Sequence, residues 1–305
     1  MVYSAAAWAF DWEPPCVDAI NAIAGLGFQG VELRIQGREE LKYYNDETNK
    51  SLRALMDSKD LRLTNLNFTP EGASSPIAEE RALAVKDFET VITAATQLGT
   101  QLITLGPSYP GEMTCVDEHY RPSMQVWNMD IPDGLDLVKN YEEYLDTVKS
   151  FASLCREHGL KLAIETVPYA WARNTDAVLR LLEQPGLEDV GVTYDVANIS
   201  MIGEVAEIFV YRVNSRIYNV QMADNHGANN VHWRPGKGKN DFNAIVCALH
   251  DVGYEGPVCL ELSDAEGAGR SPRGLYNPHG DYEKLCRSHR LAVAELERIY
   301  CEEGL

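Results

Sequence analysis

Four residues with oxygen-bearing side chains close four apolar runs in the second half of this 305-residue chain. Glu165 ends the core of Leu160–Pro168 (LKLAIETVP), and Asp195 ends VGVTYD. Gln221 stands in NVQMAD ahead of Asp224, and Glu261 stands in PVCLEL. Leu160, Leu162, Ala163 and Ile164 have the near-continuous hydrophobicity of a strand buried on both faces, and Thr166, Val167 and Pro168 turn the chain outward. A carboxylate at the end of such a strand is costly unless something compensates it. Three carboxylates and one amide carbonyl form an all-oxygen set that suits one hard divalent cation: Mn²⁺ first, Mg²⁺ or Co²⁺ as alternatives, ahead of Zn²⁺, which prefers His and Cys. Three like charges within a few ångströms would otherwise repel, so a shared cation accounts for their coexistence. Taken singly, each acid reads equally well as a surface or salt-bridged residue. Four of them at equivalent strand ends point to one site.

Other residues are aimed at the same region. Asn198 follows Asp195 by three in YDVAN, and His232 and Arg234 stand in HWRPGKG before the turn glycines Gly236 and Gly238. Trp8, Asn67, Ser108 and Tyr169 lie at or just beyond other strand ends. These seven are candidate substrate contacts, although each also has a plain packing or loop reading.

The elements that must position these residues alternate along the chain. Strands are expected at Val2–Ala6, Gly30–Ile35, Leu61–Phe68, Gln101–Leu105, from Leu160 into Glu165, Val190–Tyr194, Ile217–Met222 and Pro257–Leu262. Helices are expected at Val17–Leu26, Asp46–Lys59, Ala78–Leu98, Leu135–His158, Asp176–Glu183, Gly203–Val213, Asp241–Val252 and His279–Glu302. Gly106–Gly134 reads as a long irregular segment, and loops of that length are usually functional. Eight strands alternating with eight helices, with no Pro/Ser-rich linker, predict an α/β fold: one (β/α)8 TIM barrel over residues 1–305. The rival open sheet in its dinucleotide-binding form needs G-x-G-x-x-G after the first strand, and that motif is absent. In a barrel the C-terminal strand ends converge, so Glu165, Asp195, Gln221 and Glu261 on strands five to eight line one side of the mouth.

Composition narrows the partners. The chain is 45% hydrophobic, enough for a large core, and carries a net charge of −19 from 27 basic and 46 acidic residues. Duplex binding needs clustered Lys and Arg, so nucleic acid is a poor partner, and acidic membrane surfaces equally so. The seven cysteines form no CxxC pair, which predicts reduced thiols in a cytoplasmic protein. MVYSAAAWAFDW lacks the basic leader of a signal peptide, and no run of about 18 apolar residues predicts a membrane span. A homo-oligomer is compatible with the sequence.

Through LAIETVP, VTYDVAN, IYNVQMADNHG and PGKGKNDFNAIVCALHDVGYEGPVCLEL, the chain resembles the xylose-isomerase-like barrel superfamily of sugar isomerases and epimerases, with its dehydratase and endonuclease IV relatives. The resemblance spans nearly the whole chain and is strongest over 160–263. It implies that Glu165, Asp195, Gln221 and Glu261 bind one divalent metal, and that Glu165 and Glu261 also form the acid–base pair, as in the family's ketose epimerases. Two positions depart from those epimerases. Strand seven carries Gln221 where they have His, similar in that motif to hydroxypyruvate isomerases, and strand six reads Asp195-x-x-Asn198 where Asp-x-x-His is common. Asn takes no proton, which leaves substrate hydrogen bonding as its role. The resemblance implies an isomerase or epimerase of a keto-sugar or polyol derivative, with a lyase (inosose-type dehydratase or keto-glycoside lyase) as the alternative and a non-catalytic sugar-binding barrel as a third. Few histidines and the acidic charge separate the chain from endonuclease IV. The cation is expected to keep both glutamates ionised at neutral pH. Arg270 and Arg273 are candidate anion contacts.

Overall fold

The computed structural model describes residues 2–10, 13–110, 112–115, 127–228, 230–268 and 281–305, with the backbone alone given for 112–115 and 127–129. In chain order the elements are β1 (Val2–Ala6), α1 (Val17–Gly25), β2 (Gly30–Gln36), α2 (Asp46–Asp57), β3 (Arg62–Thr69), α3 (Ala78–Leu98), β4 (Leu102–Leu105), β5 (Glu112–Cys115), β6 (Trp127–Asp130), α4 (Leu137–Glu157) and β7 (Lys161–Glu165). They continue with α5 (Thr175–Leu182), β8 (Gly191–Asp195), α6 (Val196–Met201), α7 (Ala206–Val213), β9 (Ile217–Met222), α8 (Phe242–Asp251), β10 (Pro257–Leu260) and α9 (Tyr282–Glu303). Eight parallel strands close on themselves in the order β1-β2-β3-β4-β7-β8-β9-β10. This is the expected (β/α)8 barrel.

The helices bury one stripe each against the outside of that barrel. In α3 the buried residues Ala84, Phe88, Val91, Ile92, Ala95 and Leu98 recur at helical spacing, and Gly99 ends the helix with φ of +83°. The Phe88 ring meets Phe151 of α4 at 4.5 Å and Phe68 of β3 at 6.1 Å, so two helices and a strand share one contact. Asp136 caps α4 by accepting from the Val138 and Lys139 N–H groups.

Inside the barrel the pattern departs from the branched aliphatic layers common in this fold. Ser4, Glu32, Asn65, Thr104, Thr193 and Asn219 are all fully buried. Thr104 Oγ1 lies 2.6 Å from Thr193 Oγ1 and also donates to Asn65 Oδ1 at 2.9 Å. The barrel therefore has a polar layer beneath its mouth, while its outward face is apolar, as where Tyr194 stacks on Phe209 at 4.7 Å.

Two expectations are corrected. The segment 106–134 is not wholly irregular: β5 and β6 pair antiparallel as a separate two-stranded sheet. Asp195 turns directly into α6, and the helix expected from Gly203 starts at Ala206 as α7. Residues 279–280 of the expected last helix lie outside the described residues, as do Arg270 and Arg273. Six cysteines are described and no disulfide joins them; the Cys115 side chain lies outside the described set. No described helix is long and apolar enough to cross a membrane.

Candidate active site

Glu165 ends β7, Asp195 ends β8, Gln221 lies near the end of β9, and Glu261 follows β10. They therefore come from four neighbouring strands. Pairing places Asp195 beside Gln221, and Gln221 beside Cys259, two residues before Glu261.

Asp195 is fully buried and does two local jobs. Its Oδ1 caps α6, accepting from the Ala197 N–H at 2.8 Å and the Asn198 N–H at 3.1 Å. Its Oδ2 accepts from the Asn198 side-chain amide and lies 3.0 Å from His232 Nε2. The loop after β9 delivers His232, and Asp264 holds it there by accepting from its backbone N–H at 2.9 Å. Burial opposes a charged imidazole, but the Asp195 and Glu261 charges and bonds to Asp195 and Asp264 overcome it and hold the His232 pKa well above 6.5. One ligand atom each from Asp195, His232 and Glu261 fall within 4.8 Å of one another.

The two glutamates are each anchored by one side-chain N–H. Asn67 donates to Glu165 Oε2 at 2.9 Å, and Trp8 Nε1 donates to Glu261 Oε1 at 2.9 Å. Burial raises both carboxyl pKa values. For Glu165 the charges of Glu261 and Asp195 add to the rise, against the Asn67 bond and Arg34. For Glu261 the His232 charge opposes the rise and Asp195 adds to it. Arg34, on β2, stands with its guanidinium 6.0 Å from the Trp8 ring.

This arrangement fits a divalent cation. Gln221 Oε1 and Glu261 Oε2 are buried oxygens without a hydrogen-bond partner among the described residues. Buried carboxyls whose ionisation is suppressed by one another gain most from a positive charge between them. The structure also adds His232 to the possible ligands, a residue that the strand-end argument treats only as a substrate contact.

The other candidates separate into groups. Trp8, Asn67 and Asn198 each direct an N–H at a carboxylate of the cluster, and Asn198 Oδ1 accepts from Asn230 Nδ2 at 2.6 Å. Ser108 is buried, and its carbonyl accepts from the Trp171 N–H. Tyr169 is 43% exposed, with a left-handed φ of 68°. Arg234 lines a depression with Lys237, Glu266, Lys284 and Arg287 between the β9 loop and α9, not the carboxylate cluster. Asp224 organises the loop: it accepts from the backbone N–H groups of Asn225, Gly238 and Asn240, and its backbone pairs with Trp233. A Cβ at Gly238 would come within 2.2 Å of the Asn225 carbonyl oxygen, so this position requires glycine.

Two residues of β2 are missing from the strand-end argument. Glu32 is fully buried in the polar layer, where burial pushes its carboxyl up to about 7 against hydrogen bonds from Asn219 and Asn65. Arg34 acts on both site glutamates through its charge. The available signal was a pair of opposite charges inside the apolar strand GVELRI.

The model of the family described as xylose isomerase-like TIM barrel matches residues 20–288. The chain belongs to that family. Among curated proteins it is similar to an uncharacterized protein of Methanocaldococcus jannaschii, 21% identical over 287 residues, 92% of this chain and 88% of that one. Among solved structures it is similar to D-psicose 3-epimerase from Clostridium cellulolyticum H10, with a TM-score of 0.78 and 18% identity over 98% of this chain and 99% of that one. It also resembles the probable 3-DHS dehydratase of Bacillus anthracis, with a TM-score of 0.68 and 15% identity over 96% of this chain and 99% of that one. At these identities the structural likeness concerns the fold.

Proposed function

We propose that this barrel is a divalent-metal-dependent isomerase or epimerase acting on a keto-sugar or polyol derivative. One observation carries the reading: two glutamates, the part-buried Glu165 and the buried Glu261, share one mouth, and each accepts a side-chain N–H that anchors it. Glu165, Asp195, Gln221 and Glu261 would hold the cation, with His232 adjoining through Asp195. Bound there, a cation such as Mn²⁺, Mg²⁺ or Co²⁺ supplies Lewis acidity that polarises a substrate carbonyl and acidifies the neighbouring C–H.

The chain's own residues handle the protons. One glutamate, as carboxylate, takes the proton from the carbon next to the carbonyl, and the electron pair of that C–H bond becomes the enediolate. The other, as carboxylic acid, returns a proton to carbon, from the opposite face in an epimerisation. Asn67 and Trp8 hold the carboxyl planes in place during the exchange. The 3-epimerase likeness supports this class of chemistry. The likeness to a probable dehydratase supports a lyase that shares the first step and then expels a β-substituent instead of taking a proton. The acidic charge supports a small sugar over nucleic acid as substrate, and the free cysteines support a reducing, cytoplasmic setting.

The test is incubation with a panel of ketoses, inososes and 3-keto-glycosides in D₂O with Mn²⁺. Deuterium entering carbon with no loss of water or aglycone is the expected result. An elimination product would replace the isomerase reading by the lyase. No exchange with any of these substrates would count for a binding protein.

A further inference from the structure

Glu32 sits directly beneath the site and meets three carboxamides. Asn219 Nδ2 donates to its Oε1 at 2.7 Å, while Asn65 Nδ2 and Gln221 Nε2 both donate to its Oε2 at 3.2 Å. Glu32 and all three amides are fully buried. An ionised carboxylate only accepts hydrogen bonds, whereas a carboxamide has an NH₂ end that donates and a carbonyl end that accepts. Each amide touching Glu32 presents its NH₂ end, the orientation that an ionised carboxylate requires. For Asn65 the freed carbonyl takes the Thr104 hydroxyl at 2.9 Å. For Gln221 the freed carbonyl, Oε1, is buried and has no partner among the described residues.

We propose that Glu32 is a positioning residue that fixes the orientation of Gln221, so that its carbonyl oxygen and not its NH₂ faces the cation. This rests on the metal-dependent reading given above. The alternative orientation of Gln221 would set its carbonyl against the Glu32 carboxylate, two acceptors in contact, and would turn an NH₂ toward a cation. A neutral ligand needs such a device because, unlike a carboxylate, it offers a cation one attractive end and one repulsive end. The role is that of the outer hydrogen bonds that orient metal-bound histidines, here applied to an amide and supplied from a strand across the barrel. Asn65 and Asn219 add to the arrangement by occupying two more of Glu32's acceptor positions.

The test is calorimetric titration of Mn²⁺ into the chelator-stripped full chain, with thermal melting of each variant without metal as a fold control. Glu32→Gln is expected to raise the Kd about 10- to 100-fold. In a Gln221→Ala background the same change is expected to alter the Kd less than about threefold, because the orienting contact has no amide left to act on. The exchanged pair, Glu32→Gln with Gln221→Glu, restores one donor facing one acceptor and is expected to recover the Kd to within about fivefold of wild type. An equal effect of Glu32→Gln in both backgrounds would make Glu32 a merely structural residue and overturn the proposal, as would an unchanged Kd in the single variant. If Glu32→Gln does not fold, the exchanged pair decides: binding supports the proposal, and loss of binding or folding overturns it. Wild-type protein that takes up no divalent ion would instead overturn the metal-dependent reading itself, and this inference with it.

Discussion

Glu165 and Glu261 are each asked to do two things, hold a cation and move a proton, and substitution separates them. Glu→Gln keeps the shape and one carbonyl oxygen but removes the base. A residue that only holds metal would regain its rate when metal is raised. Glu165→Gln and Glu261→Gln are both expected to stay about 10²- to 10⁴-fold slow at saturating Mn²⁺, measured as deuterium exchange from the accepted substrate. In an epimerase, each variant should still exchange the epimer whose proton faces the surviving glutamate. Recovery of near wild-type exchange by both variants would move the acid–base pair elsewhere. The positions of these glutamates are legible in the sequence because each ends a buried apolar run. Trp8 and Asn67 are singled out there too, as candidate substrate contacts, but their role as anchors of the glutamates is not legible. Trp8 reaches Glu261 across 253 residues and Asn67 reaches Glu165 across 98, and no local pattern encodes a distance that only barrel closure creates. His232 as a possible ligand was hidden for the same reason, since a loop residue has no periodicity to report which way it points.

At the scale of elements, the barrel strands are legible because strands buried on both faces are short runs of nearly uniform hydrophobicity. The connections are less so. Helix α6 starts where the Asp195 side chain bonds to the Ala197 and Asn198 N–H groups, a contact that no period in VANISM reports. The four-residue strands of the β5–β6 hairpin are too short to leave a period. The β9 loop depends on Asp224, which gathers three backbone N–H groups and the Asn240 amide. Asp224→Ala leaves the buried Asn225 N–H without its acceptor and releases the more exposed Gly238 and Asn240 groups to water, and is expected to lower stability by about 2 kcal/mol in denaturant unfolding. Helix α9 carries a pH-sensitive contact away from the site. His289 is fully buried against the rings of Phe10 at 4.8 Å and Phe28 at 5.9 Å, and its Nδ1–H donates to the Leu285 carbonyl. Burial lowers its pKa to about 4, against about 6.5 in an unfolded chain. Above pH 6.5 both states are neutral and His289 makes stability no function of pH. As pH falls from 6.5 toward 4 the unfolded chain binds the proton first, so the contribution declines by about 3 kcal/mol in total. Urea unfolding of wild type and His289→Asn is expected to show this loss between pH 6.5 and 4 in wild type alone; parallel curves would refute it.

For the whole molecule, the proposed ligands lie on or just after four different strands, between residues 165 and 261, and only the closed barrel brings them together. An unfolded chain cannot match that arrangement, so a cation binding here binds the folded state almost exclusively and must stabilise it. At 100 times its Kd the gain is about 2.7 kcal/mol. For a chain somewhat longer than the 150–250 residues for which about 2–4 °C per kcal/mol holds, this becomes a rise in Tm of roughly 5 °C. The net charge of −19 gives divalent ions a second, weaker route to stabilisation, by screening repulsion among surface carboxylates. The two routes differ in stoichiometry and in selectivity. Screening follows ionic strength, is shared by any divalent salt and continues to grow with concentration. A built site saturates at about one ion per chain, distinguishes Mn²⁺ from Ca²⁺ at equal concentration, and is reversed by EDTA. Scanning calorimetry of EDTA-treated protein at fixed ionic strength, with Mn²⁺, Mg²⁺, Co²⁺ or Ca²⁺ added in turn and the bound metal counted by elemental analysis, is expected to give saturating, Mn²⁺-preferring stabilisation with one ion bound. Asp195→Asn should abolish it, because that carboxylate belongs both to the strand-end set and to the cluster with His232 and Glu261. Equal, non-saturating shifts from all four ions would reduce the effect to surface screening, and three zinc ions per chain would replace the single-cation site by a different metal centre.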